Sequence, residues 1–194
     1  VDTGINYDHA DFVVRVAAGF TAVNDGKGVL DCNGHGTHVS GTIAGTKFGA
    51  AKATTIVPVR VLDCAGAGYL SGVVSGLNWI ANTWGPGTPA VVNMSLGGGL
   101  SATLDSAVES LVSKGITVVV AGNSAADACS ASPARTPGAI TVAASDVADG
   151  FAYFSNYGPC VDLVAPGVGI TSDWYTAETA TAALSGTSMA APHV

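Results

Sequence analysis

Apolar, β-branched runs recur along this chain with helix-like stretches between them. The runs lie at 54–62, 90–96, 116–121, 139–143 and 161–165. Continuous apolar strands need cover on both faces, and helices between them supply it. Residues 71–84 form one helical stretch. Residues 101–114 form another, with Leu104, Val108, Leu111 and Val112 on one face and Gly115 as its stop. The expected fold is therefore α/β, a mainly parallel central sheet in three layers with helices on both faces. No repeat, low-complexity segment or linker interrupts the pattern, and 194 residues suffice for one domain with a large core.

Composition excludes some function classes. Charged residues make up only 11% of the chain and the net charge is −7, which argues against a nucleic-acid partner. The longest apolar run, around Ile116 to Gly122, has the length of a strand and not of a membrane span. The chain opens at Val1 with neither initiator Met nor signal peptide, as a mature or excised piece would. Cys32, Cys64, Cys129 and Cys160 form no C-x-x-C pair. Their even number and wide spacing fit two disulfides of a secreted protein, and equally four buried thiols of an intracellular one.

Ligand sites in parallel sheets form beyond the carboxyl ends of the strands, and the informative motifs fall at such ends. "VDTGI" places Asp2 at a strand end. "DCNGHGTHVSGTIAG" opens a small-residue helix at His35. "SGTSMAAPHV" places Ser188 at another helix start. Acyl transfer by serine needs a base for the hydroxyl proton, and a carboxylate to hold that base in one tautomer. Each motif alone has a plain structural reading: a surface acid, a packed imidazole, a helix cap.

Together they resemble the subtilases, the subtilisin-like serine peptidases, and most closely the proteinase K and aqualysin branch. "VRVLD", "NMSLGGG", "AGNSAADACSASPA" and "FSNYG" follow in family order, so the resemblance spans the whole chain. It implies Asp2 as orienting carboxylate, His35 as general base and acid, and Ser188 as nucleophile. Asn123, with the Ser188 N–H, is implied as the oxyanion donor. Gly66, Ala67 and Gly68, with Ser95, Leu96, Gly97 and Gly98, are implied as backbone edges that take the substrate as an added strand. Ala121 and Gly122 join the walls of the pocket for the side chain preceding the scissile bond. Those walls carry no carboxylate, so a broad apolar preference is expected there.

The resemblance further implies the pairs Cys32–Cys64 and Cys129–Cys160, and one structural calcium ion at Pro137, Ala139 and Asp162. It implies a secreted, monomeric endopeptidase without organic cofactor, made with an N-terminal pro-segment and acting on polypeptides. In the family the strand carrying Asp2 starts earlier and the helix opened by Ser188 runs on. Residues 1–194 are thus expected to be a subtilisin-like catalytic domain incomplete at both ends, inactive by itself. A catalytically silent peptide-binding domain is the alternative. A nucleotide-binding α/β protein has only glycine content in its favour, because Gly66, Gly68 and Gly72 have the wrong spacing for a phosphate loop.

Overall fold

A computed structural model describes residues 1–85, 87–122 and 125–194; Pro86, Asn123 and Ser124 lie outside the described residues. In chain order the elements are β1 (Phe20–Thr21), α1 (His35–Ala44), β2 (Val59–Arg60), α2 (Leu70–Thr83), β3 (Val91–Met94) and α3 (Ala102–Ser113). Then follow β4 (Thr117–Ala121), β5 (Ile140–Ser145), β6 (Leu163–Pro166), β7 (Ile170–Asp173), β8 (Thr181–Leu184) and α4 (Thr187–Ala190). No helix among the described residues is long and apolar enough to cross a membrane. The chain divides into two compact units. One is Val1–Gly76 with Thr171–Ala183, the other Leu77–Ile170 with Leu184–Val194.

The second unit holds the expected parallel sheet, in the order β3-β4-β5-β6. Alternation along β4 sends Val119 and Ala121 to one face, where Val142, Ala144, Ala165, Ala190 and Ala191 pack with them. Most of these are alanines, so α4 and the turn after it can approach the sheet closely. Val118 and Val120, fully buried, point the other way. α3 packs on β4 with Leu104, Val108 and Leu111 buried, so both faces of the sheet are covered. Ser101 caps α3 by accepting the Leu104 N–H at 3.2 Å. Gly115 ends it at φ +81°, as its place in the sequence suggests. Cys129 and Cys160 form a disulfide.

The first unit is less regular. The apolar run at 54–62 contributes only Val59 and Arg60 to a ladder, plus a bridge from Ile56 to Val16. Pro58 has no N–H to give, and its carbonyl accepts from Phe20 instead. Asp2 joins this edge, donating its N–H to Val59 and accepting from Val61 through its carbonyl. Arg60 is completely buried, an unusual place for a guanidinium. It forks onto both Asp25 oxygens at 2.9 and 2.6 Å and donates through Nε to the Thr3 carbonyl. The Arg60 hydrogen bonds hold the Asp25 carboxyl down to about 2. Cys32 and Cys64 form the second disulfide. By chain entropy, closing loops of 32 and 31 residues contributes about 3–4 kcal/mol per bridge.

One buried group in this unit is poorly served. Asp173, on β7, is wholly buried and neither carboxyl oxygen has a hydrogen-bond partner. His9 Nδ1 lies 3.7 Å from Oδ1. That nitrogen accepts the Asp11 N–H, while His9 Nε2 faces the Ala180 carbonyl at 2.9 Å. With Nδ1 accepting from Asp11 and Nε2 facing a carbonyl, the ring turns no N–H toward Asp173. Burial first, and then the nearby Asp11 carboxylate, push Asp173 up to about 7; Lys47 and Arg15 offset part of this.

The folded chain thus keeps a proton on Asp173 that the unfolded chain loses near pH 4. Stability falls as pH rises from about 4 to about 7 and stays lowered above that. Asp173→Asn removes the burden. Urea unfolding should show the variant more stable at pH 8, by up to about 4 kcal/mol for the full shift, and equal to the parent at pH 4. Equal midpoints at pH 8 would show that Asp173 carries no buried charge there.

Candidate active site

In the first unit, a single carboxylate folds the loop that presents His35. Asp31 is buried and accepts from the Thr3 and Thr37 hydroxyls and from the N–H groups of Asn33, Gly34 and Thr37. Burial alone would raise its pKa, but these bonds together hold it below the ordinary carboxylate range. Gly34 can end the loop because it sits at φ +110°, a conformation hostile to side chains. α1 starts at the next residue, with the Gly36 N–H held by Thr3 Oγ1 at 2.9 Å.

This arrangement brings His35 onto Asp2. Nδ1 lies 2.7 Å from Asp2 Oδ1, and the same oxygen accepts the Thr3 N–H at 2.7 Å. Asp2 Oδ2 is buried without a partner. The bond ties up Nδ1 as the protonated nitrogen and leaves Nε2 as the basic one. Burial pulls the imidazole pKa down. The charge of Asp2, its hydrogen bond, and the charge of Asp31 outweigh that and leave it raised. The pair is a held, basic imidazole, able to take up a proton at Nε2.

In the second unit Ser188 is the second residue of α4, behind Gly186 and Thr187. Its hydroxyl donates to the Ser95 carbonyl at 3.2 Å, and Ser95 Oγ donates back to the Ser188 carbonyl at 2.8 Å. Thr187 Oγ1 donates to the Gly122 carbonyl at 2.6 Å. Ala121 and Gly122 are buried at the end of β4, and Asn123, next in the chain, lies outside the described residues.

Of the expected substrate edges, Gly66, Ala67, Gly68, Gly97 and Gly98 are exposed, Leu96 is half-buried and Ser95 is buried. Three have partners of their own for backbone groups. Gly66 donates its N–H to the Asp63 carbonyl at 3.0 Å. Ala67 donates to Asp63 Oδ1 and accepts the Asp63 N–H. Gly98 exchanges both backbone bonds with Ser132. Main-chain groups for an added strand must therefore come from their neighbours.

The donors expected for calcium, Asp162 and the carbonyls of Pro137 and Ala139, are oxygens, as a hard cation prefers. Asp162 is pinned beside β5: its N–H reaches the Thr141 carbonyl and its Oδ2 accepts the Thr141 N–H at 2.8 Å. Those bonds use the N–H and Oδ2 and leave Oδ1 as the oxygen Asp162 could offer a cation. Among the described residues, one cluster of His, Cys or acidic side chains has metal-like proximity, namely Asp25, Cys32 and Cys64. Its sulfurs are joined to each other, so it offers no thiolate.

The sequence motifs missed Asp31 and Arg60 as supports. The acid four residues before His35 and the Thr two after it were the available signal for Asp31. Arg60 had none, since nothing in a lone arginine shows that it will be buried.

The subtilase family model matches residues 1–194. The extracellular serine proteinase of Thermus sp. (strain Rt41A) is 56% identical over 195 residues, covering 100% of this chain and 47% of the relative. Alkaline serine exoprotease A of Vibrio alginolyticus is 50% identical over 196 residues, covering 100% and 36%. The chain thus spans about half, or less, of these relatives' length. A cold adapted subtilisin-like serine proteinase of known crystal structure superposes with TM-score 0.93 at 50% identity, covering 99% of this chain and 69% of that one. Matched along all its residues and sharing that fold, the chain belongs to the subtilase family of serine proteinases.

Proposed function

We propose that the chain supplies the catalytic groups of an extracellular serine endopeptidase. The observation that carries this reading is the 2.7 Å hydrogen bond from His35 Nδ1 to Asp2. An imidazole so held keeps its other nitrogen for the proton of a serine, and Ser188 is the serine the family motif points to. The Ser188 oxygen attacks the scissile carbonyl carbon while its proton passes to His35 Nε2. The carbonyl oxygen becomes an oxyanion that accepts from the Asn123 amide and the Ser188 N–H. As the C–N bond breaks, His35 returns the proton to the departing amine. Water repeats the sequence on the acyl-enzyme and releases the carboxylic acid. Asp2 stays ionised throughout and steadies the imidazolium.

The substrate lies as a strand along the segments at 66–68 and 95–98, with Gly68 and Gly97 as main-chain partners. A wall of Ala121 and Gly122 backbone favours a large apolar residue before the scissile bond. Asp162 and the Pro137 and Ala139 carbonyls would hold a calcium ion, which would supply a structural tie between the segments that carry them.

A fluorophosphonate probe should label Ser188 in the full-length gene product, and the Ser188→Ala variant should take none. A folded protein that binds peptides without labelling would establish the silent alternative. For His35 to act as base it must be neutral. Activity should rise with pH through an apparent pKa above the usual imidazole value, in line with the raised His35 pKa. Asp2→Asn should shift that limb to lower pH and reduce kcat on the order of 10⁴-fold, the size known for the equivalent change in a serine-protease triad. An unshifted limb would separate Asp2 from His35. Chelation should lower the melting temperature of the parent and leave that of Asp162→Ala unchanged; equal responses would remove Asp162 from the ion.

A further inference from the structure

We infer that Asn156 is a positioning residue for the oxyanion donor, acting through Gly122; this rests on the proposed role of Asn123. Asn156 is completely buried, and its Nδ2 has no hydrogen-bond partner. A buried amide with idle N–H groups gives up its hydration for nothing in return, so its presence calls for an explanation. Its amide lies flat against Gly122. A β-carbon at that glycine would sit 1.7 Å from Nδ2, 1.9 Å from Cγ and 2.4 Å from Oδ1 of Asn156.

Gly122 is held from two other directions. Its N–H donates to the Val142 carbonyl at 3.3 Å, and its carbonyl accepts the Thr187 hydroxyl at 2.6 Å. The first contact ties it to β5 and the second to the residue preceding Ser188. Asn156 closes the remaining side, where only a glycine leaves room for it. Asn156 is itself fixed through Ser155, whose Oγ accepts the Ala144 N–H from β5 at 2.8 Å. The last residue before Asn123 is therefore immobilised by sheet, helix start and amide together. Freeing one side lets the peptide leading into Asn123 tilt. A donor that must meet a transient oxyanion then loses its aim, while substrate binding elsewhere is untouched.

The test is a double-substitution cycle on the full-length enzyme with a peptide substrate. Asn156→Ala should lower kcat by roughly 10- to 100-fold, with KM within about twofold. Where the alanine variant does not fold, Asn156→Ser is read in its place. In an Asn123→Ala background the same change should cost no more than about twofold, because no amide remains to be aimed. An equal loss with and without Asn123, or a lowered melting temperature with kcat intact, overturns the proposal. An Asn123→Ala enzyme with unchanged kcat overturns the oxyanion reading itself, and the positioning role falls with it.

Discussion

The carboxylate of Asp31 is the interaction on which the His35 side of this protein depends. Five donors converge on it, from Thr3, Asn33, Gly34 and both polar groups of Thr37. No regular element could satisfy those groups, because the chain turns through Gly34 just where α1 begins. An ionised carboxylate can accept all of them and is stabilised in its charged form by doing so. Thr3 passes the effect on. Its hydroxyl bridges Asp31 and Gly36, and its carbonyl takes Nε of the buried Arg60. Asp2, one residue away, is thereby set at the height of the His35 ring. The Asp2–His35 bond is thus the outcome of two charge networks, one around Asp31 and one around Arg60, that share a single threonine.

The architecture was legible where local pattern and tertiary burial agree. The helices expected at 71–84 and 101–114 are Leu70–Thr83 and Ala102–Ser113, and the runs at 90–96 and 116–121 contain β3 and β4. β7 and β8 were invisible, since Thr, Ser and Ala show no apolar period there. The run at 54–62 overstated its strand because Pro58 removes a donor from the ladder. The candidate catalytic residues were read from motifs, and no periodicity could have ranked Asp2 above other acids. Cysteine spacing left thiols and disulfides equally open; the family likeness chose a pairing, and both bridges are present. Arg60, Asp173 and Asn156 could not be read at all. Each is defined by complete burial, which sequence-distant neighbours create.

Those three residues show how differently a core can treat a polar group. Arg60 has a carboxylate, two carbonyls and a fitted fork, so its charge is shared out. Asp173 has none of these and escapes the cost only by keeping a proton. Asn156 is neutral, so its idle N–H groups cost less than a bare charge would. Its place is against Gly122, whose carbonyl takes the Thr187 hydroxyl, whereas Asp173 lies against Gly41 and Gly45. Unpaired polar atoms persist where something other than stability selects them. Asp2 Oδ2 is a further instance: filling it with a donor would draw negative charge away from His35 and weaken the base. The cost at Asp2 and at Asn156 falls next to the groups that must be basic or well aimed. Preorganisation predicts this distribution, because a site tuned to a transition state is not tuned to its own resting stability.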